Sequence, residues 1–208
     1  LASQSLKVVL SGEGADEIFG GYNVYSEPGG SAYDKLPRGL RRGIGHIAEK
    51  MPAHRGRNFL VRKGKDLEER FIGNAYMFTP EERKALLKIR TNAPDPMAIT
   101  KPFYDKVQDQ DDVTKMQYLD LHMWMAGDIL LKADKMSMAN SLELRVPFLD
   151  KKVMELAEQI PTRYRVTREA VTDEKTPYIT KYAMRLAAKK DTPPQTAKTA
   201  AKKKLGFP

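Results

Sequence analysis

Apolar and polar positions along this 208-residue chain follow two rhythms, a short strand-like one at the start and a helical one over most of the remaining length. Lys7-Val8-Val9-Leu10 is a brief β-branched apolar run that stops at Ser11-Gly12, and a helical pattern begins near Gly14, so the opening reads as strand, tight turn, helix. Gly20-Gly21 ends that helix, and Pro28, Gly29 and Gly30 make Ser26 to Ser31 a loop. Leu36, Leu40, Ile44 and Ile47 then recur at helical spacing up to Pro52, and Phe59 to Tyr76 is a second amphipathic stretch. Thr79-Pro80-Glu81-Glu82 has the cap, the first-turn proline and the third-position acid of a helix start. Ala98 to Val107 predicts a helix weakened by Pro102, and Val113 to Lys132 is the longest apolar-periodic run. That run is rich in Met, which reads as core packing; its His122 is given no role. Asp150 caps a helix that Pro161 stops, and Tyr178 to Lys189 predicts one more.

The expected architecture is a largely helical body entered by one short core strand, with Leu6 to Leu10 buried. A lone strand makes no sheet, so its partners are expected upstream of Leu1, and the chain reads as part of a longer protein. Asp191 to Lys204 is rich in Thr, Pro, Ala and Lys without apolar periodicity and is expected to be mobile unless a ligand orders it.

Composition narrows the function classes. With 41% hydrophobic and 30% charged residues the chain has ordinary globular composition. Lys and Arg number 36 against 27 Asp and Glu, a net +9 that suits phosphate-rich partners. Eight of the lysines fall between Lys175 and Lys204, so much of that excess is local and reads as solvated surface. There is no cysteine, which excludes disulfides, thiolate metal sites and a Cys nucleophile in these residues and fits a cytoplasmic protein. No apolar run approaches the ~20 residues of a membrane span, and Leu1 to Leu10 does not read as a signal peptide.

Three stretches carry candidate chemistry. Ser11-Gly12-Glu13-Gly14-Ala15-Asp16-Glu17 places glycines, which allow close backbone approach, beside three carboxylates. Carboxylates beside phosphates need a hard cation between them, which points to Mg²⁺-nucleotide chemistry. The plainer reading is an acidic first turn that complements the helix dipole, and the pattern alone leaves both open. Leu131 to Asp150 mixes Asp134, Lys135, Glu143 and Arg145 into apolar surroundings, as structural ion pairs or as the lining of a polar site. Lys202 to Pro208 is a lysine run that ends in Leu-Gly-Phe-Pro.

Together, VVLSGEGADEIFGGY (8–22), LLKADKMSMANSLELRVPFLD (130–150) and KKKLGFP (202–208) resemble the synthetase domain of glutamine-dependent asparagine synthetases, in order and spacing, over essentially all of residues 1–208. The resemblance implies an α/β parent fold like that of the adenine nucleotide α-hydrolases. It also implies ATP and Mg²⁺ as cofactors, and activation of the aspartate side chain as β-aspartyl-AMP, which ammonia then attacks. By the same resemblance Ser11 and Gly12 contact ATP, and Glu13 is the catalytic glutamate near the adenylate and the incoming amine. Asp16 helps hold Mg²⁺ and pyrophosphate, Lys204 (or Lys203, one residue earlier) neutralises phosphoryl charge, and Asp134 and Arg145 shape the site.

The implied partners are aspartate, ATP and ammonia, an N-terminal glutaminase domain of the same parent chain and, at full length, a second copy. Neither a membrane nor a nucleic acid is among them. The family's Ser-Gly-Gly-x-Asp-Ser pyrophosphate loop and the glutaminase cysteine do not occur in these residues, so the chain alone is not expected to make asparagine. Two alternatives stand beside this reading. One is a related amidotransferase or β-lactam synthetase. The other is a basic, helical nucleic-acid-binding module, which has few aromatics beside its basic residues to support it.

Overall fold

The structure is a computed structural model and describes residues 1–26, 32–52, 54, 56–89, 92–168 and 178–202. It divides into two compact units, one made of Leu1–Ser26 with Met125–Pro208 and the other of Glu27–Trp124. The loop expected at Ser26 to Ser31 lies outside the described residues except for Ser26 itself.

The first unit opens with β1 (Val8–Leu10) and α1 (Ala15–Phe19). Gly14, at φ 88°, starts this one-turn helix and Gly20, at φ 71°, ends it, both in the left-handed region that a residue with a Cβ avoids.

In the second unit, α2 (Arg38–Lys50) forms where helical spacing predicted it, but it turns a different face inward. Leu40 and Ile47 are exposed, whereas Gly45 and Ala48 are buried. The reason is α3 (Arg57–Gly64), which crosses α2 so closely that a Cβ on Gly45 would sit 2.9 Å from the Gly64 Cα. The stretch predicted over Phe59 to Tyr76 breaks in two after α3. Asp66 and Glu69 form a reciprocal capping box that starts α4 (Leu67–Arg70), and Gly73 turns the chain at φ 89°. A second capping box, between Thr79 and Glu82, starts α5 (Pro80–Leu86) as expected. Helix α6 (Pro96–Tyr104), capped by Asp95, begins ahead of the predicted Ala98. Residues Asp112–Asp120 form α7, and Leu121–Ile129 continue as π-helix. Val113, Met116 and Leu119 of α7 are buried with Tyr104, whose hydroxyl donates to the Phe71 carbonyl at 2.7 Å.

The first unit resumes at Met125, within that π-helix, and continues with α8 (Leu130–Met138) and β2 (Glu143–Arg145). Strand β2 pairs in parallel with β1, in the register Val8↔Glu143, Val9↔Leu144 and Leu10↔Arg145. Among the described residues, β1 therefore takes a partner from downstream, which the sequence pattern did not anticipate. Val8 and Leu10, expected in the core, are 43% and 72% exposed among the described residues.

The chain continues through α9 (Lys151–Glu158), capped by Asp150, and α10 (Thr162–Arg165). Next come β3 (Val166–Thr167) and β4 (Ile179–Thr180), an antiparallel pair, and then α11 (Tyr182–Asp191) and α12 (Pro194–Ala201). Three expectations change here. The segment from Tyr178 begins as a strand before it becomes a helix. The residues of Asp191 to Lys204 expected to be mobile include a two-turn helix, α12. The single strand becomes four short strands in two sheets among the described residues. The core of this unit holds Ile18, Phe19, Tyr25, Met125, Ala157 and Val166. No described helix is long and apolar enough to cross a membrane.

Candidate functional site

The glycine-rich turn between β1 and α1 is held from two sides by the stretch after α8. The parallel ladder is the first tie, and it extends one step further because Ser11 N–H donates to the Arg145 carbonyl at 2.8 Å. The second is the Pro147–Leu149 turn. Leu149 packs over Gly14 so tightly that a Cβ there would meet its Cδ2 at 2.6 Å, and Phe148 meets Phe19 edge-on at 6.2 Å. The two longest sequence motifs are thus joined into one piece of structure. Gly12 is exposed, and a Cβ on it would meet nothing within 4 Å.

The three carboxylates of the motif separate. Glu13 lies on the turn, where its N–H donates to Ser11 Oγ at 3.3 Å, and its Oε2 is buried with no hydrogen-bond partner among the described residues. Burial raises its pKa above the ordinary 4.5, with the positive charge of Lys132 on α8 opposing that shift. Asp16 points to the opposite end of α1 and pairs with Lys181 Nζ at 3.1 Å, each side chain about a quarter exposed. Glu17 is buried and accepts from the Tyr22 hydroxyl at 2.6 Å; burial raises its pKa, and that hydrogen bond opposes the shift. Glu13 precedes α1, and within the helix the 3.6-residue period separates Asp16 from Glu17, since neighbours sit on different faces. The cluster of three acids suggested by the sequence is therefore not formed, and Glu17 belongs to the core.

Lys181 escaped the sequence reading. It sits between β4 and α11 at φ 51°, an uncommon conformation for a side chain of its size, and its N–H donates to the Gly20 carbonyl at 3.3 Å. Gly21 is the third part of this arrangement: a Cβ there would fall 1.9 Å from Asp16 Oδ1 and 2.3 Å from Lys181 Cε. A lone lysine before a helix carries no signal in sequence. The Gly20-Gly21 pair did carry one, but its second glycine reads as part of a helix stop rather than as room for an ion pair.

The remaining predicted positions are more peripheral. Arg145 Nε pairs with Glu143 Oε1 at 2.8 Å, and both are exposed. Asp134 and Lys135 are exposed on α8, not set in apolar surroundings, and adjacent helical residues do not face each other. Lys203 and Lys204 lie outside the described residues.

The family model for asparagine synthase matches residues 1–208. The chain belongs to the asparagine synthase family. Over its whole length it is 46% identical to asparagine synthetase (glutamine-hydrolyzing) 1 of Bacillus subtilis, covering 31% of that protein. It is 43% identical, with 30% covered, to proteins of Mycobacterium bovis and Mycobacterium tuberculosis that carry the name "putative asparagine synthetase (glutamine-hydrolyzing)". It spans about a third of the length of these relatives, and no solved structure gives a significant match. In this member of the asparagine synthase family no three His, Cys, Asp or Glu side chains among the described residues group closely enough to hold a metal by themselves. Mg²⁺ carried by phosphates needs only one or two protein carboxylates, and the part-exposed Asp16 fits that smaller demand.

Proposed function

We propose that this chain is the part of an ATP-dependent asparagine synthetase that carries its amidation glutamate and a cation at its phosphate end, within an adenine nucleotide α-hydrolase-like parent fold. In the reaction, a β-carboxylate oxygen of aspartate attacks the α-phosphorus of ATP and pyrophosphate leaves. Ammonia then attacks the acyl carbon, AMP leaves, and the nitrogen loses a proton. The observation that carries this reading is the buried Oε2 of Glu13, without a hydrogen-bond partner among the described residues, on an open glycine turn. A carboxylate in that state, with its pKa raised by burial, is poised to take up a proton as the amine attacks.

Ser11 N–H is engaged in the sheet, so ATP contact falls to Gly12 and the Ser11 side chain. Bound Mg²⁺ would offset phosphate charge, with Asp16 as its protein carboxylate. Lys204 keeps the charge-neutralising role that the family resemblance implies, and Lys181, which pairs with Asp16, is proposed as a second cation for the phosphoryl charge. Arg145 and Asp134 keep a site-shaping role, Arg145 through the Ser11 hydrogen bond. Aspartate, ATP, ammonia and a glutaminase domain are the partners this reading requires, and the cytoplasm is its setting.

The test is a chimera in which this chain replaces the matching segment of the Bacillus subtilis relative. Aspartate-dependent pyrophosphate release and asparagine formation are expected. Glu13→Gln should stop amide formation, and Lys181→Gln should slow pyrophosphate release. A folded chimera that releases no aspartate-dependent pyrophosphate, or whose Glu13→Gln form still makes asparagine at the parent rate, would overturn the proposal.

A further inference from the structure

The second unit holds a pocket of about 200 Å³, many times what a single water needs, and among its described lining residues only Leu67 is apolar. It lies where α2, the α3–α4 junction and the start of α7 meet. Its cations are Arg41, Lys63, Lys65 and Arg70. Two of these are accounted for. Lys63 pairs with Asp34 at 3.0 Å, both mostly buried, and Lys65 pairs with Glu49 at 2.8 Å. The lining carboxylate Asp66 is already shared by Arg38 and Arg42.

The two guanidinium groups are not satisfied in this way. Arg70, with a side chain only 7% exposed, has one ion-pair contact among the described residues, to Asp112 at 3.4 Å. Arg41 makes no ion pair among the described residues, and its Nε is buried without a hydrogen-bond partner. A guanidinium carries five donors in a fixed fork and stays charged at any working pH. Burying one unpartnered is costly unless an acceptor fills the gap. With each lining carboxylate already engaged, Arg41 is the surplus positive charge.

We infer that this pocket is a binding site for a small oxyanion of phosphate size, held by Arg41 and Arg70, separate from the glycine-rich turn of the first unit. Paired guanidinium forks suit the oxygens of a phosphoryl group better than chloride, because each fork can bond two oxygens at once. A free phosphate and the phosphoryl group of a small metabolite share this chemistry.

The experiment is thermal denaturation of the 208-residue chain in inorganic phosphate against chloride at equal ionic strength, repeated with a small sugar phosphate. Binding to the folded state alone gives a saturating rise in Tm, whereas the general salting effect of phosphate climbs without saturating. Arg41→Gln should weaken the phosphate affinity about tenfold, as expected for loss of a charge-assisted hydrogen bond. Arg41→Lys, which keeps the charge and removes the fork, should weaken it too and serves if the Gln variant does not fold. Lys181→Gln should leave the saturating rise intact. A sugar phosphate that saturates at lower concentration than phosphate identifies the phosphorylated metabolite, and the reverse identifies the free ion. A rise that never saturates, that survives both Arg41 substitutions, or that Lys181→Gln abolishes would overturn the assignment.

Discussion

Replacing Gly21 by Ala tests the Asp16–Lys181 arrangement directly. The added methyl would stand 1.9 Å from Asp16 Oδ1, 2.7 Å from its Cγ and 2.3 Å from Lys181 Cε. Ordinary non-bonded separation is about 3.5 Å, so the carboxylate must retreat by roughly 1.5 Å. Because the methyl presses on both partners, the 3.1 Å ion pair is wedged open. Overpacking of this kind costs about 1–3 kcal/mol. The pair, a quarter exposed on each side, adds up to about 1 kcal/mol. A central value of about 2 kcal/mol lowers Tm by roughly 4 to 8 °C in a chain of this size. Circular dichroism melts measure it. The decisive comparison is the double variant. In an Asp16→Ala background the methyl meets only the flexible end of Lys181, and its cost should fall by about 1 kcal/mol or more. Effects that add to within about 0.5 kcal/mol would show that Gly21 is not reserved for this pair, and the reasoning would fail.

Packing and burial carry two further expectations. Gly45→Ala should destabilise by about 1–3 kcal/mol, because its Cβ meets Gly64 Cα at 2.9 Å and the Leu60 carbonyl at 3.3 Å, backbone atoms that cannot rotate away. Gly43→Ala, on the same helix with nothing within 4 Å, should stabilise by about 0.5–1 kcal/mol, and equal melts for the two variants would refute the close crossing. Burial raises the pKa of Glu17 above 4.5, so the folded state holds its proton to higher pH than the unfolded chain does. That contribution is fully present below the unfolded value and is lost as pH rises through the folded one. Glu17→Gln should therefore flatten the fall in stability as pH rises above about 4.5; melts with an unchanged pH slope would contradict it.

Local signals were legible where one residue type does one local job. The Thr79-to-Glu82 capping box, the Asp150 cap and the glycine stop after α1 stand where the chain announces them, since each is settled within a few residues. The face of α2 was not legible. Leucine and isoleucine spacing marked Leu40 and Ile47, but a glycine–glycine crossing decides which side meets α3. The helix of Pro194–Ala201 was missed because Ala and Lys form helices readily without an apolar stripe.

Family membership and the first two motifs were readable without coordinates, because long specific strings in a set order carry them. Glu13 and Asp16 could be named in the same way. What those residues face is a property of the folded chain. Strand β1 takes its partner from 143–145, more than a hundred residues away, because ladder bonds are made in space and leave no trace in local pattern. Likewise the three acids of the motif divide among an open turn, an ion pair and the core, and Lys181 arrives beside Asp16 from much later in the chain.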